Sequence, residues 1–82
     1  MSPEYAKKYF EAKRATVSLE EFNGKVMVVH GDGSNMVFHN AFLEEHAPLI
    51  LVFTEHCGYF YFYIDDLDMY SYSKYKEEND AR

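Results

Sequence analysis

The apolar positions of this chain change period along its length, and each change marks an element. From Pro3 to Lys13, Tyr5, Ala6, Tyr9, Phe10 and Ala12 recur at the spacing of one helix face, while Lys7, Lys8, Glu11 and Arg14 turn outward. Ser2 precedes them as an N-cap, Pro3 suits the first helical position, and Glu4 meets the positive end of the dipole. The pattern predicts a helix over Pro3–Lys13 that covers one face of a sheet, or else acts as a basic arm.

Alternation then replaces the helical period. Ala15–Glu20 places Val17 and Leu19 on one face, and Asn23-Gly24 is a strong hairpin signal leading into a second strand, Lys25–His30. Gly31–Ser34 reads as a turn, followed by a short third strand, Asn35–His39, near an edge. Asn40–Ala47 reads as a short helix, capped by Asn40 and stopped by Pro48, that carries the chain across the sheet.

The strongest strand signals come next. Leu49–Glu55 and Tyr59–Ile64 form the longest β-branched and aromatic run in the chain, broken at His56-Cys57-Gly58. The following stretch is ambiguous. Asp65 or Asp66 could cap a helix striped by Leu67, Tyr70, Ser71 and Lys74, which is the favoured reading, but Met69–Ser73 also alternates as a strand does. Lys76–Arg82 is charged and reads as a frayed tail. The fold class is α+β: an N-terminal helix on a mainly antiparallel sheet of about five strands, with a short helix between strands three and four.

Eighty-two residues give one domain, 1–82, with no room for a second core. No apolar run reaches the roughly 18 residues of a membrane helix, and the opening residues lack a signal-peptide hydrophobic region. The single cysteine, Cys57, allows no internal disulfide and fits a reducing compartment. The expected location is therefore the cytoplasm, of the organism itself or of an infected host cell.

Charge adds a direction. Residues 1–14 carry four basic and two acidic side chains, residues 15–64 one and six, and residues 65–82 three and six, which together give the net charge of −6. An acidic sheet repels phosphate backbones and suits a basic protein partner, so direct nucleic-acid binding is not expected.

Candidate chemistry is sparse. In the Tyr59–Ile64 strand, Phe60, Phe62 and Ile64 share the face expected to be core, while Tyr59, Tyr61 and Tyr63 share the other. That tyrosine row is either covered by the N-terminal helix or open as a binding face, since tyrosine is common at interface hot spots. With Tyr70, Tyr72, Glu44, Glu45, Glu55, Asp65, Asp66 and Asp68 it makes up the predicted partner-binding set; Glu20 and Glu21 add to the acidic surface. His30, Asp32 and His39 flank one turn without zinc spacing, and Asp32–Asn35 lacks the rest of a calcium loop. No phosphate loop or nucleophile elbow is present. No cofactor or metal is expected, and no catalytic residue is assigned.

These observations point first to a small acidic protein-binding module, most concretely an inhibitor that occupies a basic site on a larger protein, such as a nucleic-acid-binding one. In composition alone it resembles the acidic, cysteine-poor inhibitors that phages direct against host nucleases, restriction or CRISPR systems. The alternative is a homodimeric structural or regulatory domain. A third reading is a small metal-dependent hydrolase using His30, Asp32, His39 or Asp65.

Overall fold

The Ser2 hydroxyl oxygen accepts a hydrogen bond from the Tyr5 N–H at 3.2 Å, which caps the first helix, α1, over Pro3–Thr16. In the computed structural model, which describes residues 1–75, α1 is followed by five strands: β1 Gly24–His30, β2 Asn35–His46, β3 Leu49–Thr54, β4 Tyr59–Tyr63 and β5 Leu67–Lys74. Two single-turn 3₁₀ helices, Leu19–Glu21 and Ile64–Asp66, precede β1 and join β4 to β5. The predicted tail, 76–82, lies outside the described residues.

All strand pairings are antiparallel, in the order β4-β3-β2-β1-β5. This order forces the sheet to curl. In a flat sheet β4 and β5 would be four spacings apart, about 19 Å. The three residues Ile64–Asp66 connect them in a 3₁₀ turn that rises only about 2 Å per residue. The end strands must therefore come round toward each other, giving an open barrel with a concave interior.

The curl has an identifiable hinge. β2 pairs with β1 through Asn35–His39 and Ala41, and with β3 through Ala41–His46. Asn40 is skipped in the β1 register and sits at φ +53°, the left-handed conformation that asparagine tolerates better than most residues. The bulge it makes is tied at both ends: its N–H donates to the Tyr75 hydroxyl at 2.9 Å, and its carbonyl accepts from the Glu55 N–H at 3.1 Å.

Two apolar layers share β3. Ile50 and Val52 face the barrel interior with Val26, Val28, Phe38 and Ala41. Leu49, Leu51 and Phe53 face outward, where Ala6 and Phe10 of α1 and Phe42 of β2 cover them. Every residue of β3 is buried, which is why its sequence is a continuous apolar run rather than an alternation. The helix face is narrower than its sequence suggested. Ala6 and Phe10 are buried and Tyr9 is half-buried, but Tyr5 and Ala12 are exposed.

Several sequence expectations are corrected here. Ala15–Glu20 is not a strand: α1 continues through Thr16, and Ser18 begins a 3₁₀ turn in which its N–H donates to the Glu21 carboxylate at 3.1 Å. Asn23-Gly24 is therefore not a hairpin. The short helix expected over Asn40–Ala47, between the third and fourth predicted strands, is absent; residues 40–46 extend β2, which becomes the longest strand and a central one. The helix favoured after Asp66 is also absent: Leu67–Lys74 is β5, paired along β1.

Gly24 has a packing role that its supposed turn concealed. A Cβ there would lie 2.5 Å from the Ser73 carbonyl oxygen and 2.5 Å from the Tyr72 ring. Gly24→Ala is expected to cost about 1–3 kcal/mol by forcing β5 away from β1. Urea denaturation measures it; an unchanged midpoint would mean that the two strands separate without cost.

Candidate functional site

Hydrogen-bonded and non-hydrogen-bonded pairs alternate along an antiparallel ladder. The Thr54 N–H donates to the Gly58 carbonyl at 3.1 Å and the Ile64 N–H to the Pro48 carbonyl at 2.9 Å, so the even-numbered residues of β4 direct their backbone groups toward β3. The backbone N–H and C=O groups of Tyr59, Tyr61 and Tyr63 consequently point the other way, to the open side of an edge strand. The same logic applies at the opposite edge. The Tyr75 N–H donates to the Asn23 carbonyl at 2.8 Å, which turns Ser73, Ser71 and Met69 toward β1 and leaves the backbones of Tyr70, Tyr72 and Lys74 facing out.

The β4 sequence itself carries no protection against edge pairing, and α1 shelters its beginning. Tyr59-Phe60-Tyr61-Phe62-Tyr63 contains no charge, proline or bulge. Four of its residues are half-buried and Tyr63 is 42% exposed, so apolar surface shows on both faces. A groove of about 370 Å³ runs beside it, between Lys7 and Phe10 of α1 and Met36 of β2, with Tyr59–Phe62 as its floor.

The tyrosine row is graded between the two outcomes expected for it. Tyr59 packs edge-on to Phe10 and Phe53, with ring centroids 5.8 and 5.0 Å apart, and the Arg14 guanidinium lies 4.5 Å from its ring centre. Tyr61 is packed against the helix-side core but half-open, and Tyr63 stands free of it, 6.3 Å from Tyr61. The helix covers the start of the row and leaves its end open.

The acidic residues do not form one row. Asp65 and Asp66 lie in the 3₁₀ turn directly after Tyr63, and Asp68 lies in β5, where the register skips it; all three are exposed. Glu55 sits in the β3–β4 turn, 3.6 Å from His56. Glu45 is exposed at the barrel mouth, where its hydrogen bond to Tyr70 raises the tyrosine pKa above its ordinary value. Tyr72 donates to the Asn23 side chain, and burial raises its pKa.

Glu44 faces inward to the helix. Its Oε1 accepts from the Tyr9 hydroxyl at 2.7 Å and lies 2.8 Å from His46 Nε2, while Lys13 Nζ is 3.4 Å from its Oε2 and 3.6 Å from Glu21. Burial opposes the charged form of Glu44, but the bonds from His46 and Tyr9 and the Lys13 charge outweigh it, and its carboxyl is held below the usual range. The same hydrogen bond, with burial and the carboxylate charge, pushes Tyr9 up to about 12. This cluster clamps α1 to β2.

The sign of its pH dependence follows. A carboxyl whose folded pKa is depressed contributes stability above its unfolded pKa and loses it as pH falls through the folded one. Tyr9, whose pKa is raised, contributes below its unfolded value and loses that contribution as pH climbs through about 12. Glu44→Gln should flatten the acid limb and lower neutral-pH stability by about 1–2 kcal/mol, the size of a charged hydrogen bond lost. Thermal melts from pH 3 to pH 7, which span the range of carboxyl titration, check this. Parallel curves for the two proteins would remove the clamp from the account.

The two histidines of the hydrolase reading are kept apart. His30 packs against Phe62 at 5.7 Å, whereas His39 pairs with Lys25 on the outer sheet face. Among the described residues no three His, Cys, Asp or Glu side chains converge as a metal-binding group, and no helix is long and apolar enough to cross a membrane.

Sequence reasoning did not identify the groove walls, Lys7, Phe10 and Met36. The spacing of Lys7, Phe10 and Arg14 was a usable signal, because it puts all three on one side of α1, facing β4. No family model, curated protein or solved structure matches the chain.

Proposed function

We propose that this chain is a protein-binding module that accepts a strand of another protein on the open edge of β4. One observation carries the reading: five consecutive aromatic residues lie on an unpaired edge, half-open on both faces, with a groove alongside. Strand addition uses such surfaces, with backbone bonds supplying affinity and alternate side chains supplying specificity. Tyr59, Tyr61 and Tyr63 offer their backbone groups, and Phe60 and Phe62 offer an apolar floor.

The exposed carboxylates select the partner. Asp65, Asp66 and Asp68 stand at the Tyr63 end of the edge and favour a larger protein with basic residues next to its own strand. Where that basic surface is a nucleic-acid-binding site, occupying it makes the module an inhibitor. A second reading, pairing with its own copy, is favoured by the pattern of free backbone groups on β4.

Capture from lysate of the source cells tests the proposal. The immobilised chain should retain a specific protein, Tyr61→Pro should abolish retention, and Asp65→Asn/Asp66→Asn/Asp68→Asn should weaken it and flatten the salt dependence of its association rate. Retention of the same protein by all three forms would end the reading.

A further inference from the structure

We infer that in the free protein the edge of β4 is closed by β4 of a second copy, antiparallel, about a two-fold axis at Tyr61. This rests on the strand-addition reading and names the occupant. Within β4 the free backbone groups belong to Tyr59, Tyr61 and Tyr63. An antiparallel register centred on Tyr61 sets Tyr59 against Tyr63 of the other copy, Tyr61 against Tyr61, and Tyr63 against Tyr59. All three are hydrogen-bonded pairs, so every outward N–H and C=O of the strand finds a mate. On the other face Phe60 meets Phe62 of the second copy twice, and aromatic cross-strand pairs of this kind stabilise a ladder.

Charge supports the same arrangement. Arg14 stacks on Tyr59 and Lys7 lines the groove beside Tyr59 and Tyr61, so the first half of the edge is flanked by cations. Asp65 and Asp66 follow Tyr63 at the other end. Antiparallel pairing of identical strands brings the cationic end of each copy to the acidic end of the other. The isologous symmetry repeats the match. Pairing β4 with β5 of a second copy through the free groups of Tyr70, Tyr72 and Lys74 fits less well. It would set Lys74 beside the Arg14 end and Asp68 beside Asp65, like against like.

Sedimentation velocity over the micromolar range should give a dimer that dissociates on dilution. Arg14→Glu and Asp65→Arg should each weaken the dimer roughly tenfold or more, and the two combined should restore much of the loss. In a Cys57→Ser background, Tyr61→Cys should cross-link to itself under mild oxidation, because hydrogen-bonded partners lie about 5.5 Å apart at Cα. Tyr63→Cys should not, since its mate is Tyr59. A monomer at every concentration, a larger ring or filament, or cross-linking through Tyr63→Cys alone would overturn the inference. The strand-addition reading fails separately, if Tyr61→Pro leaves capture of another protein unchanged.

Discussion

Phe53→Ala is expected to remove most of the chain's stability. Phe53 is fully buried and lies at the centre of the helix-side core: it stacks on Phe42 at 4.6 Å, and Tyr59, Phe10 and Tyr9 surround it edge-on at 5.0, 5.7 and 6.3 Å. Truncation would remove contacts to two neighbouring strands and α1 at once. The expected cost is about 3–5 kcal/mol. That is most of what a chain this small holds, since domains have about 5–15 kcal/mol and small ones sit low in the range. Circular dichroism in urea measures it. Leu19→Ala, at a side chain 71% exposed, should change stability little. Equal midpoints for the two variants would mean that the core is centred elsewhere.

Tyr61→Pro is expected to do the reverse, abolishing association while sparing the fold. Proline within a sheet ordinarily removes a ladder bond, but an edge strand tolerates it where the N–H faces outward. The Tyr61 N–H does so, because the bonds at Thr54–Gly58 and Pro48–Ile64 set the alternation of the whole strand. The β3–β4 ladder therefore stays intact. An incoming strand loses its central bond and meets the proline ring in its path. Partner capture and self-pairing should both fall below detection while the far-ultraviolet spectrum is retained. A folded Tyr61→Pro protein that still associates would place the interface elsewhere.

The elements that were legible in the sequence are those whose local pattern and tertiary setting agree. Ser2-Pro3-Glu4 starts a helix, and β3 and β4 stand where the aromatic and β-branched run predicts them. One failure comes from a bend in the sheet. The Asn40 bulge puts Phe38 and Ala41, three residues apart, in the same apolar layer, and Phe42 beside them is buried in the other. Followed by Glu44 and Glu45, Ala41 and Phe42 mimic a helical period. Gly24 reads as a turn residue because crowding by a strand far along the chain leaves no local trace. β5 was ambiguous because its pairing partner, β1, lies some forty residues earlier and its first aspartates belong to a 3₁₀ turn.

The candidate site was half-legible. Composition marked Tyr59, Tyr61 and Tyr63 as unusual, and strand geometry put them on one face. Their backbones matter as much as their rings, and that depends on which strand ends the sheet, a property of strand order. Glu44 looked like any other surface carboxylate until Tyr9, His46 and Lys13 were placed round it.

Amide hydrogen exchange at Tyr59, Tyr61 and Tyr63 tests the central claim most directly. These three N–H groups have no partner within the β-ladder of one chain, so protection at them reports an added strand and nothing else. Slow exchange that deepens with protein concentration or with partner is the predicted result. Exchange at the rate of open surface amides under every condition, while Phe60 and Phe62 stay protected by β3, would contradict it.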